Sequence, residues 1–293
     1  MARNPDRLTL VAFLAIVLFL GVNFVAVKFI NRELSPLWGA ALRFFIASVL
    51  LFGIVRVKNI PLPKGQALLG AGLFGLLIFG INFGLLSWAL VTISAGFASV
   101  IFATIPLLTL LIATLIGLEK ITWKGIVGAA IVMGGIGLVF NEQLKFDVPF
   151  IPIMAVFLAA IAAATSGIAV KYFPKSHPIA TNAVATAVGT IVLVSVSLIL
   201  GETYKLPSLI PTWLALGWLI TSSIVAFPLM VWLLSKWSAS ATSYTAVLTP
   251  LVTVAIASVL AGETFSLIFL VGSLLVLLGV YIGALSSGEP KGT

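Results

Sequence analysis

The segment from Ser94 to Glu119 returns from Ser238 to Glu263 without a gap, each residue displaced by 144 positions as Pro106 is to Pro250. In SAGFASVIFATIPLLTLLIATLIGLE and SASATSYTAVLTPLVTVAIASVLAGE the proline and the closing glutamate coincide, as do Ser99/Ser243, Thr109/Thr253 and Ala113/Ala257. The same displacement pairs Gly128 with Gly272 and Gly135 with Gly279, while Ala26-Val-Lys-Phe29 matches Ala169-Val-Lys-Tyr172 at 143. Such a chain folds as two like units. Its 61% hydrophobic and 8% charged residues, with a mean hydropathy of +1.26, place both units in lipid.

A helix needs about 20 apolar residues to cross a hydrocarbon core of about 30 Å. Ten stretches qualify, at approximately 8–30, 36–56, 66–90, 94–117, 122–140, 149–172, 178–200, 211–235, 238–261 and 265–286. The first follows Arg3 and Arg7 and is too long for the apolar core of a signal peptide, which runs about 7 to 15 residues. The expected fold is therefore an all-α integral membrane protein. Residues 1–143 form a first set of five spans and residues 144–293 a second.

Basic residues sort by side. One side collects Arg3, Arg7, Arg56, Lys58, Lys64, Lys120, Lys124, Lys171, Lys175, Lys236 and Lys291, against Lys28, Arg32, Lys145 and Lys205 on the other. Eleven against four makes the first side cytoplasmic and places both termini there. This sorting reads the net charge of +8 as a membrane signature, with the lipid bilayer and not nucleic acid as the partner. An odd number of spans per unit makes the second unit an inverted copy of the first. Inverted repeats suit secondary transporters, because each copy supplies the mirror of the other's conformation and balances inward-open and outward-open states in energy.

The chemistry of other classes is missing. The chain has no cysteine, its one histidine, His177, lies in a connection before Pro178, and its eight acids fall in tails, connections or helix ends. A membrane enzyme would need paired acids, a His/Ser set or a metal site, and a channel a polar stripe along several helices. Neither pattern is present in the sequence.

With the repeat and the charge sorting established, the chain resembles the drug/metabolite transporter superfamily in its ten-helix EamA-type branch. The resemblance rests on the two repeat blocks, on Pro36 with Ala41-Leu-Arg-Phe44, and on the glycine-spaced fifth and tenth spans. Within that branch the overall sequence is similar to exporters of aromatic and other amino acids. The resemblance implies a basket of ten helices around a central cavity, with no bound cofactor. The first span lacks the glutamate that small four-helix relatives carry there, which points to downhill export or exchange and away from proton drive. Arg43 has no basic counterpart in the seventh span, which reads IATNAVATA.

The expected function is export of amino acids, aromatic or otherwise apolar, across the inner membrane of a bacterium, with one chain taken as the working unit. Another metabolite such as a nucleoside, or a lipophilic cation, is the alternative substrate. Polar side chains within spans are costly and mark functional sites or helix contacts. Arg43, about two turns inside the outer end of the second span, offers a charge for a carboxylate or a structural anchor to helix-end carbonyls or Glu33. Asn23 and Asn82 offer hydrogen bonds to substrate or between helices. Tyr244, whose repeat partner is Val100, combines an apolar ring with a hydroxyl. Trp88 and Trp232, repeat equivalents at opposite ends, would close a path or join the interfacial belt. Phe83, with Phe79 and Phe227, would line an apolar cavity or face lipid. Pro106 and Pro250 free the carbonyls of Phe102 and Ala246, making hinges or static kinks, with Ser99, Thr104, Thr245 and Thr249 near enough to re-satisfy the backbone. Substrate is expected among the first, third, sixth and eighth spans and the two proline-bearing helices.

Overall fold

A computed structural model describes residues 7–117, 123–144, 149–237 and 242–285. Glu119, Lys120, Ser238, Lys145 and the extreme terminal residues, including Arg3 and Lys291, lie outside the described residues. Among the described residues the chain is helical throughout, as α1 (Arg7–Asn31), α2 (Pro36–Val57), α3 (Gln66–Ala89), α4 (Ala95–Leu115), α5 (Trp123–Leu144), α6 (Phe150–Tyr172), α7 (Pro178–Ile199), α8 (Ile210–Lys236), α9 (Thr245–Ala261) and α10 (Leu267–Val280, continued by Tyr281–Leu285). Seven of these are long and apolar enough to cross a membrane, and α5, α9 and α10 supply shorter apolar helices.

Local sequence sets the ends. Pro36 and Pro178 open α2 and α7, where a missing N–H costs nothing. Ser94 and Ser266 cap α4 and α10, accepting from Phe97 N and Phe269 N at 3.1 Å each. Gly117 and Gly262 adopt positive φ, 76° and 66°, immediately beyond the two proline-bearing helices.

The packing has the symmetry of the sequence. Helix α1 packs on α8 and α9, and its repeat counterpart α6 packs on α3 and α4. The remaining counterparts, α2 with α7 and α5 with α10, pair with each other, as elements straddling a pseudo-two-fold axis must. The glycine spacing explains the second pair. A Cβ on Gly128 would lie 2.3 Å from Gly283 Cα, and one on Gly135 2.7 Å from the Gly272 carbonyl, so α5 and α10 touch backbone to backbone. Long apolar side chains such as Leu14, Leu18, Phe45 and Val49 stand exposed and face lipid.

The two proline helices differ. In α4 the helix breaks at Ala103–Thr104, just before Pro106, whereas α9 runs unbroken through Pro250 and the interruption falls at Tyr244, between helical Thr242 and Ser243 and the start of α9. The nearby hydroxyls do bond within their own helices: Ser99 to Gly96 O, Thr104 to Ile101 O, Thr245 to Thr242 O and Thr249 to Thr245 O, at 2.6–2.9 Å. The carbonyls of Phe102 and Ala246 are not their acceptors.

Candidate transport cavity

A cavity of about 120 Å³ occupies the middle of the molecule. Leu20, Asn23, Phe24 and Val27 line it from α1, at the three- and four-residue spacing of one helix face. Phe74, Ile78, Asn82 and Leu86 do so from α3, with Phe83 beside them. Helices α4, α6, α8 and α9 complete the wall, so the lining comes from three repeat pairs: α1/α6, α3/α8 and α4/α9. These are the six spans among which the sequence places the substrate. Part of α3, Gly75–Asn82, is π-helical, a wider turn common at functional sites, and it presses so tightly on α7 that a Cβ on Gly75 would lie 2.4 Å from the Ala185 carbonyl.

The wall is mostly hydrocarbon, with a few polar groups. Asn23 bridges α1 to α8: its Nδ2 donates to Ser222 Oγ at 2.8 Å, and its Oδ1 accepts from Trp218 Nε1 at 3.1 Å. It therefore serves as a helix tie as well as a cavity residue. Asn82 Nδ2 donates to the Ile78 carbonyl at 3.2 Å, while its buried Oδ1 has no partner among the described residues. Hydroxyls of Thr109, Ser166, Thr242, Ser243, Thr245 and Thr249 complete the polar set. In the sequence Thr109 and Ser243 stand out only as repeat coincidences and Thr245 and Thr249 only as neighbours of Pro250, and Ser166 and Thr242 do not stand out; the repeat offers a signal, since Ser166 stands 143 positions after Asn23.

Phe83 and Phe227, repeat equivalents 144 positions apart, both line the cavity and meet edge to face at 5.6 Å. Phe79 is fully buried between Phe44 and Phe227, each at 4.9 Å. Lipid-facing placement, the default for a phenylalanine in a span, fails for all three, which are buried against one another. Arg43 sits behind this cluster, outside the cavity lining and 1% exposed. Its Nε donates to Ser223 Oγ at 2.8 Å, its guanidinium lies 4.6 Å and 4.8 Å from the rings of Phe44 and Phe83, and its Nη2 has no partner among the described residues. Glu33 is not its partner. Cation–π contact with two desolvated rings offsets part of the cost of burying the charge.

The other expected site residues scatter. Tyr244 is half-buried at the interruption of α9, flanked in sequence by the cavity residues Ser243 and Thr245. Trp88 is 40% exposed on the outer side and lines neither cavity. Trp232 lines a second cavity, described below. Pro106 and Pro250 are buried next to the lining residues Ile105 and Thr249.

Toward the outer face three carboxylates bridge the two halves. Glu263 accepts from Lys28 Nζ at 2.7 Å and from Ala95 N and Gly96 N at 2.9 Å and 3.2 Å, at the start of α4. Glu202 accepts from Leu37 N and Trp38 N at 3.1 Å and 2.8 Å, at the start of α2. Glu33 accepts from the backbone and hydroxyl of Ser208 and from Leu209 N, just ahead of α8. These bonds, led by that from the Ser208 hydroxyl, hold the Glu33 carboxyl down at about 2, against 4.5 ordinarily. Each acid caps a helix N-terminus belonging to the opposite half, where backbone N–H groups and the helix dipole favour negative charge. In the sequence Glu263 stands out as a repeat landmark and Glu33 as an anchor for Arg43, and none of the three as a cap; three acids on the side poor in lysine are the available signal.

The cytoplasmic side holds instead a cavity of about 380 Å³ between α3, α8 and the α6–α7 connection. Leu234 lines both cavities. The two faces thus differ: carboxylate caps bridge the halves on the outer one, and a lysine-lined cavity lies on the cytoplasmic one.

The sequence model of the EamA-like transporter family matches this chain twice, over residues 7–141 and 150–284. The chain belongs to the EamA-like transporter family. A relative from Archaeoglobus fulgidus, described as an uncharacterized transporter, is 31% identical over 275 residues, covering 91% of this chain and 95% of the relative. A crystal structure matches the fold with a TM-score of 0.68 at 18% identity, covering 97% of this chain and all of its own. This EamA-like protein is accordingly a multi-pass membrane transporter for a small molecule, and not an enzyme.

Proposed function

We propose that this EamA-like transporter exports apolar amino acids, aromatic ones included, by alternating access between its two inverted halves, residues 1–143 and 144–293. The observation that carries the reading is the wall of the central cavity. Aromatic and aliphatic side chains from both halves surround a small polar set at Asn23, Asn82 and the α9 hydroxyls. An apolar side chain would lie against Phe83 and Phe227, and the amino and carboxyl groups would exchange hydrogen bonds with Asn82 and those hydroxyls. At about 10–15 Å³ of such space per water, 120 Å³ holds on the order of ten waters, or one small solute.

Arg43 supports the rings from behind and reaches a carboxylate only if Phe83 and Phe227 part. Pro106 and Pro250 are the hinges in this reading, Trp232 stands at the cytoplasmic entrance, and Trp88 and Tyr244 assist at the outer end and at the α9 interruption. Transport runs downhill or by exchange, in the inner membrane and with one chain as the working unit. The described lining of both cavities contains no acid to carry a proton.

Efflux from preloaded proteoliposomes tests the proposal. Phenylalanine or leucine should leave faster than from protein-free vesicles, with or without a pH gradient. Export confined to nucleosides or lipophilic cations would sink the substrate assignment, and strict dependence on a proton gradient would sink the coupling.

A further inference from the structure

The cytoplasmic cavity is unlike the central one in its charge. Lys171 at the end of α6, Lys175 in the following connection and Lys236 at the end of α8 all line it, with the polar side chains of Ser176, Thr181 and Ser235 between them. No acid lines either cavity among the described residues. Asp6, Glu119 and Glu289 lie outside the described residues, as do Arg3, Lys120 and Lys291, so the remaining acids and bases of this side balance three against three. Leu234 belongs to both walls, so the lysine-lined cavity adjoins the phenylalanine-lined one at α8. Clefts lined by one sign of charge with low-dielectric walls focus their field and concentrate the opposite charge.

Resting on the export reading above, we propose that this vestibule is a carboxylate-collecting site: Lys171, Lys175 and Lys236 admit solutes that carry a carboxylate or other anionic group and turn away those with net positive charge. The carrier then takes zwitterions and monoanions with apolar side chains and rejects the matched amines. The positive-inside rule accounts for lysines on this face, but not for their meeting on one cavity that adjoins the central one. Two sources of anion share this chemistry, a carboxylate solute and the phosphate of an anionic lipid.

The test uses the full chain in proteoliposomes made of zwitterionic lipid alone or with added phosphatidylglycerol, and three solutes matched in side chain: phenylalanine, phenylpyruvate and phenethylamine. At low ionic strength the carboxylate-bearing solutes should be preferred over the amine by about tenfold or more, and the preference should shrink with added salt as the Debye length falls from about 30 Å at 0.01 M to about 10 Å at 0.1 M. The triple variant K171Q/K175Q/K236Q should raise KM for phenylpyruvate several-fold and remove the salt dependence, whereas Lys205→Gln on the outer side should leave that dependence in place. Eight cytoplasmic basic residues against four remain in the triple variant, so its orientation is retained.

Trp232 gives a readout that requires no transported substrate. Its emission, taken as the difference between the parent and Trp232→Phe, should be quenched by iodide far more than by caesium, and the triple variant should lose that bias. Equal quenching by both ions, or phenethylamine carried as well as phenylalanine, would overturn the vestibule proposal. A salt effect appearing only with phosphatidylglycerol would assign the lysines to lipid and overturn it too. Phenylpyruvate carried without phenylalanine would refute the amino-acid reading and leave the vestibule standing.

Discussion

The outer and cytoplasmic faces of this transporter derive from one repeated unit, yet they differ in state. On the outer face Glu33, Glu202 and Glu263 each reach from one half to cap a helix of the other. On the cytoplasmic face α3 and α8 stand apart around a lysine-lined cavity. A transporter built from inverted copies should be able to exchange these two arrangements. The contrast teaches that the outer face is joined by a few charge-assisted caps at helix ends, laid over one hydrophobic core that the two halves share.

The largest effect should come from breaking what both faces share. Arg43→Ala removes the side chain packed among Phe44, Phe83 and Phe227 and leaves a void there, costing about 2–5 kcal/mol on the scale of large-to-alanine changes in a core. Thermal unfolding in detergent should show it, and accessibility should rise on the two faces alike. Gly128→Val comes next. Its added carbons meet backbone of α10 within 2.5 Å, and overpacking of this kind costs about 1–3 kcal/mol, again read by unfolding.

A more selective change is Glu263→Gln. It withdraws the carboxylate from Lys28, Ala95 N and Gly96 N, hydrogen bonds of the charged kind worth about 1.5–3 kcal/mol, and it does so on the outer face alone. With about 1.4 kcal/mol per tenfold, the outer face should open some ten- to hundredfold more often, measured as labelling of a Val27→Cys reporter from outside. The smallest effect should come with acid. A carboxyl whose folded value is lowered adds stability that is complete above its unfolded value, and it loses this as pH falls through the folded one. The Glu33 contribution should thus be intact above about 4.5 and fade as external pH falls toward about 2. Glu33→Gln should flatten that response in the same labelling experiment.

The sequence carried the architecture because the constraints on it are periodic. Ten apolar runs, a constant displacement and a lopsided lysine count survive any uncertainty about single side chains. Inward-facing Phe83 and Phe227 were harder to place. An apolar helix that is hydrophobic all round gives no amphipathic stripe to say which ring faces lipid, and the π turn in α3 shifts the facing further. The outer caps were hidden for another reason. Glu33 and Glu202 are ordinary connection residues by sequence, and their partners lie more than 160 positions away. Arg43 was visible as an expensive charge, but its partners, Ser223 and three rings, come from three helices that only the fold brings together.

The central claim, that the capped and lysine-lined faces exchange arrangements, can be tested directly because the chain has no cysteine of its own. Val27→Cys, on the cavity wall beside Lys28, and Ser235→Cys, on the cytoplasmic vestibule, would be labelled separately by an impermeant maleimide from outside and from inside. Saturating phenylalanine should slow labelling at 235 and speed labelling at 27. Rates that rise together, fall together or ignore the substrate would contradict alternating access between these two faces.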